Sequence, residues 1–285
     1  MRVPSDPRQT IYVQMKDADK PIGIFDSGIG GLTVANAIQK ALPNESLIYF
    51  GDTEHLPYGE KSPEAILHYS LRIADFLLEQ NCKIIVIACN TASSIAFEAV
   101  RDHLKGKAET FDVINPVANR VASEYSNTKI GVIATKATIK SDVYSHKIKK
   151  LNPSLEVASL ATPLLVPMIE EGFYNNKISK AVIASYLEKT KLKNIKALIL
   201  ACTHFPLIEP EIKEFYKGKV DIVNSADIVA QHIKESLEHL HLLTTKKSRK
   251  CEFYVSDYTK SFEESTKFFF KGKINLKYYP LWENL

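Results

Sequence analysis

The feature that most constrains this chain is a pair of matching segments, one in each half, that end in the same dipeptide. Residues 83–91 read Lys-Ile-Ile-Val-Ile-Ala-Cys-Asn-Thr, and residues 196–204 read Lys-Ala-Leu-Ile-Leu-Ala-Cys-Thr-His. Each contains a short all-apolar run, the pattern of a strand buried on both faces of a parallel sheet. Each run closes on Ala-Cys, passes through small polar residues and enters a helical pattern. Open parallel sheets bind ligands beyond the carboxyl ends of their strands. Cys89 and Cys202 are therefore placed to face one small molecule.

Strand and helix patterns alternate along the rest of the chain. Strands are predicted over Ile22–Phe25, Leu47–Phe50, Lys83–Ala88, Asp112–Ile114, Lys129–Ile133, Glu156–Leu160, 196–201, Val220–Val223 and Cys251–Ser256. Helical patterns fall between them, and Ser62-Pro63 reads as the N-cap and first position of one. This rhythm predicts an α/β fold of two similar α/β domains, each a mostly parallel sheet flanked by helices, with the active site in the cleft between them. The expected division is an N-terminal extension over 1–20, a first domain of 21–112 with 225–285, and a second domain of 113–224.

Composition narrows the function classes. The net charge of +4, from 37 basic and 33 acidic residues, is too small to point to nucleic acid. The basic stretches around Lys147, Lys149 and Lys150, and around Lys246, Lys247, Arg249 and Lys250, read as solvated helix ends and loops. No apolar run approaches the roughly 18 residues of a membrane helix. Residues 1–20 lack the apolar core of a signal peptide. The 4 cysteines form no disulfide framework. The expectation is a cytoplasmic protein with neither a membrane nor a nucleic-acid partner.

Taken alone, a strand-end cysteine is packing; two in duplicate settings are not. Both are followed by hydrogen-bonding residues, Asn90-Thr91 and Thr203-His204, and both precede a helical pattern whose N-terminal N–H groups are expected to lower a thiol pKa. Cys82 precedes a strand and Cys251 begins one, so both read as structural. A zinc site would need Cys89, Cys202, His204 and a fourth ligand such as His55, without any Cys-x-x-Cys pair. A redox disulfide lacks that pair too. The third reading is proton transfer, in which one thiolate takes a proton from carbon and the opposite thiol returns one to the other face. Asp26, ending the first strand, and His204 could each assist a cysteine or bind substrate, although singly they read as a turn residue and a helix-start residue. The turn Gly28-x-Gly30-Gly31 lacks the third glycine of a dinucleotide fingerprint, so neither NAD nor ATP is inferred. Its glycines are expected to open backbone N–H groups to a small anion.

Beyond these readings, Gly23-Ile24-Phe25-Asp26-Ser27-Gly28-Ile29-Gly30-Gly31-Leu32, Tyr49-Phe50-Gly51-Asp52-Thr53 and Pro57-Tyr58-Gly59 resemble the glutamate racemases of the aspartate/glutamate racemase superfamily. So do Ala88-Cys89-Asn90-Thr91-Ala92, Gly131-Val132-Ile133-Ala134-Thr135 and Ala201-Cys202-Thr203-His204-Phe205-Pro206-Leu207. The resemblance runs from about residue 21 to 210. It implies an isomerase with no cofactor and no metal that interconverts L- and D-glutamate for peptidoglycan synthesis, with glutamate as its small-molecule partner, working as a homodimer. Carried over, Cys89 and Cys202 are the two bases, assisted by Asp26 and His204, and Glu170 matches an acidic residue near His204. By the family pattern Cys202 deprotonates L-glutamate and Cys89 D-glutamate. Ser27, Pro57, Tyr58, Gly59, Asn90, Thr91, Thr135, Thr138 and Thr203 fall where the family binds substrate. The nearest rivals are an aspartate or hydantoin racemase of the same superfamily and a non-catalytic amino-acid-binding protein.

Overall fold

The computed structural model describes residues 17–247, 249–272 and 274–283. The described residues form two sheets in which every strand pair is parallel. The strands in chain order are β1 (Ile22–Asp26), β2 (Leu47–Gly51), β3 (Ile84–Ile87), β4 (Glu109–Asp112), β5 (Lys129–Ala134), β6 (Glu156–Ala161), β7 (Ile195–Ala201), β8 (Asp221–Asn224), β9 (Cys251–Val255) and β10 (Leu276–Tyr278). The first sheet has the order β10-β9-β2-β1-β3-β4 and the second β6-β5-β7-β8. The duplicated runs become β3 and β7, and each cysteine follows within two residues of its strand's end.

Burial follows the apolar pattern. Every residue of β1, β2 and β3 is buried, as strands covered by helices on both faces must be. The helix Ser225–His239 packs on Leu32–Ala41 of the first sheet's layer and on Asn115–Glu124 beside the second. One apolar cluster therefore runs without a break from Ile22 and Leu32 through Val117 to Ile199 and Val229. Both sheets point their carboxyl ends at a common cleft.

Three local expectations need correction. The strand expected over Asp112–Ile114 is Glu109–Asp112 instead. Val113 and Ile114 are fully buried where the chain crosses between sheets, and the Asp112 carboxylate accepts from the Asn115 N–H at 3.0 Å to start the next helix. The edge strand β10 and the short helices Lys136–Lys140 and Leu165–Glu170 carry too little periodicity to have been anticipated. Of the expected N-terminal extension, residues 1–16 lie outside the described residues, while Ala18 is buried rather than loose.

Ala18 is held by a buried ion pair at the end of the first sheet away from the cleft. Lys83 Nζ donates to Glu45 Oε2 at 2.6 Å, to the Ala18 carbonyl at 2.6 Å and to the Leu242 carbonyl at 2.7 Å. Glu45 Oε1 accepts from the Thr244 N–H at 2.8 Å. The side chains of Lys83 and Glu45 are 1% and 3% exposed, so removing one leaves the other charge uncompensated. Breaking such a pair costs about 3–5 kcal/mol. Glu45→Ala is expected to lower the unfolding free energy by that margin, read as a lower urea midpoint with an unchanged m-value in equilibrium unfolding followed by circular dichroism.

Candidate active site

Cys89 and Cys202 line one cavity of about 130 Å³ between the two sheets. Its walls include Ser27, Pro57, Tyr58, Gly59, Asn90, Thr91, Thr135, Glu170, Thr203 and His204. Of the candidate catalytic and substrate-binding residues, Asp26 and Thr138 lie behind the wall. Thr162, Val166 and Lys136 also line it and carry no signal in the sequence. They come from elements whose side-chain direction is set by tertiary packing.

The Gly-rich turn after β1 has a different task from the one expected. Its N–H groups at Gly28 and Gly31 donate to Asp26 Oδ2 at 3.1 and 3.0 Å. The small anion they bind is the chain's own carboxylate. Gly30 is needed for close approach: a Cβ there would sit 2.4 Å from His204 Cε1 and 2.6 Å from Thr203 Oγ1. Thr33 Oγ1 stitches the same contact, with Gly30 O at 2.9 Å and Thr203 O at 3.0 Å. The first cysteine's support and the second cysteine's histidine thus press against each other.

Around Cys89 the environment is buried and acidic. Cys89 is the N-cap of the helix Asn90–Leu104, its sulfur accepting from the Ala92 N–H at 3.5 Å and lying 3.6 Å from Ser27 Oγ. Burial, followed by the Asp26 carboxylate, pushes its thiol up to about 12. The helix N-terminus was expected to lower it, and these two effects outweigh the dipole. Burial also raises Asp26, opposed by the charge of His204 and by the Gly31 and Gly28 N–H groups.

Around Cys202 the partner is cationic. No α-helix starts directly after this cysteine; a 3-10 turn, Phe205–Ile208, precedes the helix Glu209–Tyr216. His204 supplies the positive charge instead. Its Nδ1 faces Cys202 Sγ at 3.8 Å, and its Nε2 donates to Glu170 Oε1 at 2.9 Å. Burial alone would lower His204, but hydrogen bonds to Cys202 and Glu170, together with their charges, raise it to about 10.

The remaining polar groups join the two sheets. Thr91 Oγ1 lies 3.0 Å from Thr135 Oγ1 and 3.3 Å from Thr138 Oγ1, and Thr135 caps the helix Lys136–Lys140 by accepting from the Thr138 N–H. Asn90 Oδ1 accepts from Tyr144 OH at 2.7 Å, while its buried Nδ2 has no partner among the described residues. His55, the candidate fourth zinc ligand, bonds Asp52 at 3.1 Å and stacks on Tyr69, outside the cavity wall.

The family described as Asp/Glu/Hydantoin racemase matches residues 30–254. A glutamate racemase of Geobacter metallireducens is 42% identical over 256 residues, covering 90% of this chain and 94% of its own. The crystal structure of glutamate racemase from Francisella tularensis in complex with D-glutamate superposes with a TM-score of 0.87 at 39% identity, covering 93% of this chain and 98% of that one. That of the Escherichia coli glutamate racemase in complex with L-glutamate and the activator UDP-MurNAc-Ala gives 0.71 at 25% identity, covering 91% and 98%.

The His204 arrangement makes a prediction. With a midpoint of about 10 against an ordinary 6.5, the interactions of the imidazolium stabilise the fold fully below pH 6.5 and are lost as pH rises through about 10. The Cε1–H resonance of His204 is expected to keep its imidazolium shift until the pH approaches about 10. Glu170→Gln should move the midpoint down. A midpoint near the ordinary value in the parent chain would contradict the ion pair.

Proposed function

The chain belongs to the Asp/Glu/hydantoin racemase family, and on that premise we propose that it interconverts L- and D-glutamate by two-base proton transfer, without a cofactor. The observation that carries this reading is the pair of strand-end cysteines, Cys89 and Cys202, lining one cavity from two different sheets. In this reading residues 21–112 with 225–285 form one domain and 113–224 the other, and each brings one base to the substrate.

In the resting enzyme the proton sits on Cys89, whose thiol is pushed up to about 12. The His204 imidazolium lies 3.8 Å from Cys202 Sγ and gives that sulfur a cationic partner. Cys202 then takes the Cα proton of L-glutamate, and Cys89 delivers its own proton to the opposite face. In the reverse direction the roles exchange. Asp26 supports Cys89, and Glu170 holds the His204 ring in place.

Thiol basicity alone does not remove a Cα proton. Each positioned acid or base contributes about 10² to 10⁴ in rate, roughly 3–5 kcal/mol. The remainder falls to groups that stabilise the carbanion beside its carboxylate. The start of the helix Asn90–Leu104, the unpaired Asn90 Nδ2 and the hydroxyls of Ser27, Thr91, Thr135 and Thr203 are the donors at hand. Thr138 acts through Thr91 and Thr135, and Pro57, Tyr58 and Gly59 form the wall that excludes water. The product, D-glutamate, would serve peptidoglycan synthesis in the cytoplasm, with the enzyme a homodimer.

Incubation with L-glutamate in D₂O, followed by circular dichroism and by mass spectrometry of deuterium at Cα, tests the reaction. Loss of optical signal with one deuterium per D-product is expected in the parent chain. Cys89→Ala and Cys202→Ala should each abolish racemisation while leaving the fold intact. Substantial racemisation in either variant would refute the two-base mechanism, and turnover of aspartate or hydantoins in place of glutamate would reassign the substrate.

A further inference from the structure

The cleft wall formed by Pro57, Tyr58 and Gly59 belongs to the long connection between β2 and the helix Pro63–Glu79. Few of that connection's backbone groups are paired with sheet or helix. One buried carboxylate, Asp52, does the pairing instead. It is fully buried, and its backbone N–H is fixed by the Asp26 carbonyl at 3.0 Å. Tyr58 OH donates to Asp52 Oδ2 at 2.7 Å. Ser256 Oγ and Trp282 Nε1 donate to Oδ1 at 2.8 and 2.9 Å, and His55 Nδ1 lies 3.1 Å from both oxygens.

These donors come from three parts of the chain: the connection itself, the end of β9 and the C-terminal segment. Ser256 Oγ also accepts from the Glu54 N–H at 3.0 Å, and Thr53 Oγ1 accepts from the Asp257 N–H at 2.8 Å. Trp282 packs edge-on against His55 and Tyr69, with ring centroids at 4.7 and 5.3 Å. Downstream of Asp52, Tyr58 opens the 3-10 turn Tyr58–Glu60. The tip of that turn reaches the other sheet, since a Cβ on Gly59 would lie 3.0 Å from Thr135 Cβ.

We infer that Asp52 and Trp282 are positioning residues for the reacting site: the C-terminal segment, through the Asp52 carboxylate, sets where the Tyr58–Glu60 turn closes the cleft. Neither residue lines the cavity. They act on catalysis through Tyr58 and Gly59. A buried carboxylate accepting several donors fixes a loop as no single hydrogen bond can. A displacement of about 1 Å at a substrate wall is enough to cost on the order of 10²-fold in rate. This inference rests on the racemase reading for its catalytic half and on geometry alone for its structural half.

The test compares the full chain with Asp52→Asn, which keeps the shape but replaces one acceptor by a donor, and with Trp282→Phe, which keeps an aromatic ring but removes the indole N–H. Amide hydrogen exchange is read at residues 58–61, and kcat and KM for glutamate are read in both directions. Faster exchange at 58–61, by about tenfold or more, with the amides of the helix Asn90–Leu104 and of β7 unchanged, is the expected local signature. A fall in kcat/KM of about ten- to a hundredfold, the loss of one hydrogen bond to a charged acceptor, should accompany it. Unchanged exchange at 58–61, or a uniform rise along the chain, would overturn the positioning role. Faster local exchange with unchanged kcat/KM would overturn its link to catalysis. A parent chain inert toward glutamate would sink the racemase reading, and the exchange data would still decide whether Asp52 positions the turn.

Discussion

The site depends on how closely the turn after β1 approaches the end of β7. Gly30 lies against Thr203 and His204 with no room for a Cβ, and Thr33 bridges the two backbones. That contact sets the spacing between the two halves of the cleft, and so between the groups that support each cysteine. Asp26 makes the turn rigid by taking the N–H groups of Gly28 and Gly31, while Tyr49 OH donates to the Gly28 carbonyl at 2.8 Å. A turn of this composition would be mobile if its amides were open to solvent. Here its polar groups are committed to the protein, and it behaves as part of the wall.

Much of this was legible in the sequence because two-sided burial leaves a strong mark. A strand covered on both faces needs an unbroken apolar run, and β1, β2, β3, β5 and β7 all carry one. Strands at the sheet edges do not. In β4, Glu109-Thr-Phe-Asp is half-solvated, and in β10 Lys277 and Tyr278 are exposed, so their patterns fade into loop. Val113 and Ile114 misled in the opposite direction: they are buried in the apolar cluster after β4 has ended, not within a strand. The cleft's wall residues were legible mainly through the family resemblance, because threonines and a tyrosine in loops have no periodicity to betray them. Asp52 stood in a recognisable Gly-Asp-Thr stretch, yet its role was hidden. The partners that define it, Ser256 and Trp282, lie 204 and 230 positions away in sequence.

The two cysteines are duplicates in sequence but not in electrostatics. The thiol beside Asp26 is buried against a carboxylate, and the one beside His204 faces an imidazolium braced by Glu170. Repeating the strand-end motif supplies two sulfurs to one cavity from two sheets. Their neighbours make the site lopsided. The difference arises locally, because a full α-helix begins at Cys89 whereas a 3-10 turn follows His204. Without an α-helix N-terminus directly behind it, the second site relies on a side-chain cation.

That lopsidedness has a consequence for turnover on the proposed mechanism. Enantiomers have equal free energy, so kcat/KM must be the same in both directions whatever the enzyme's resting form. The resting form itself need not be symmetric. With the proton held on Cys89 by burial and Asp26, one passage from L- to D-glutamate gives that proton to the product and leaves the proton taken from Cα on Cys202, beside the cation. The enzyme must then return its protons before it can repeat the same direction. Asp26 and His204 feel each other's charge across the Gly30 contact, so the groups that bias the two protonation states are coupled through the wall of the site. The close packing that sets the spacing of the cleft therefore also tunes the balance between the two forms of the free enzyme. A substitution that loosened that packing would alter the balance even with both cysteines in place.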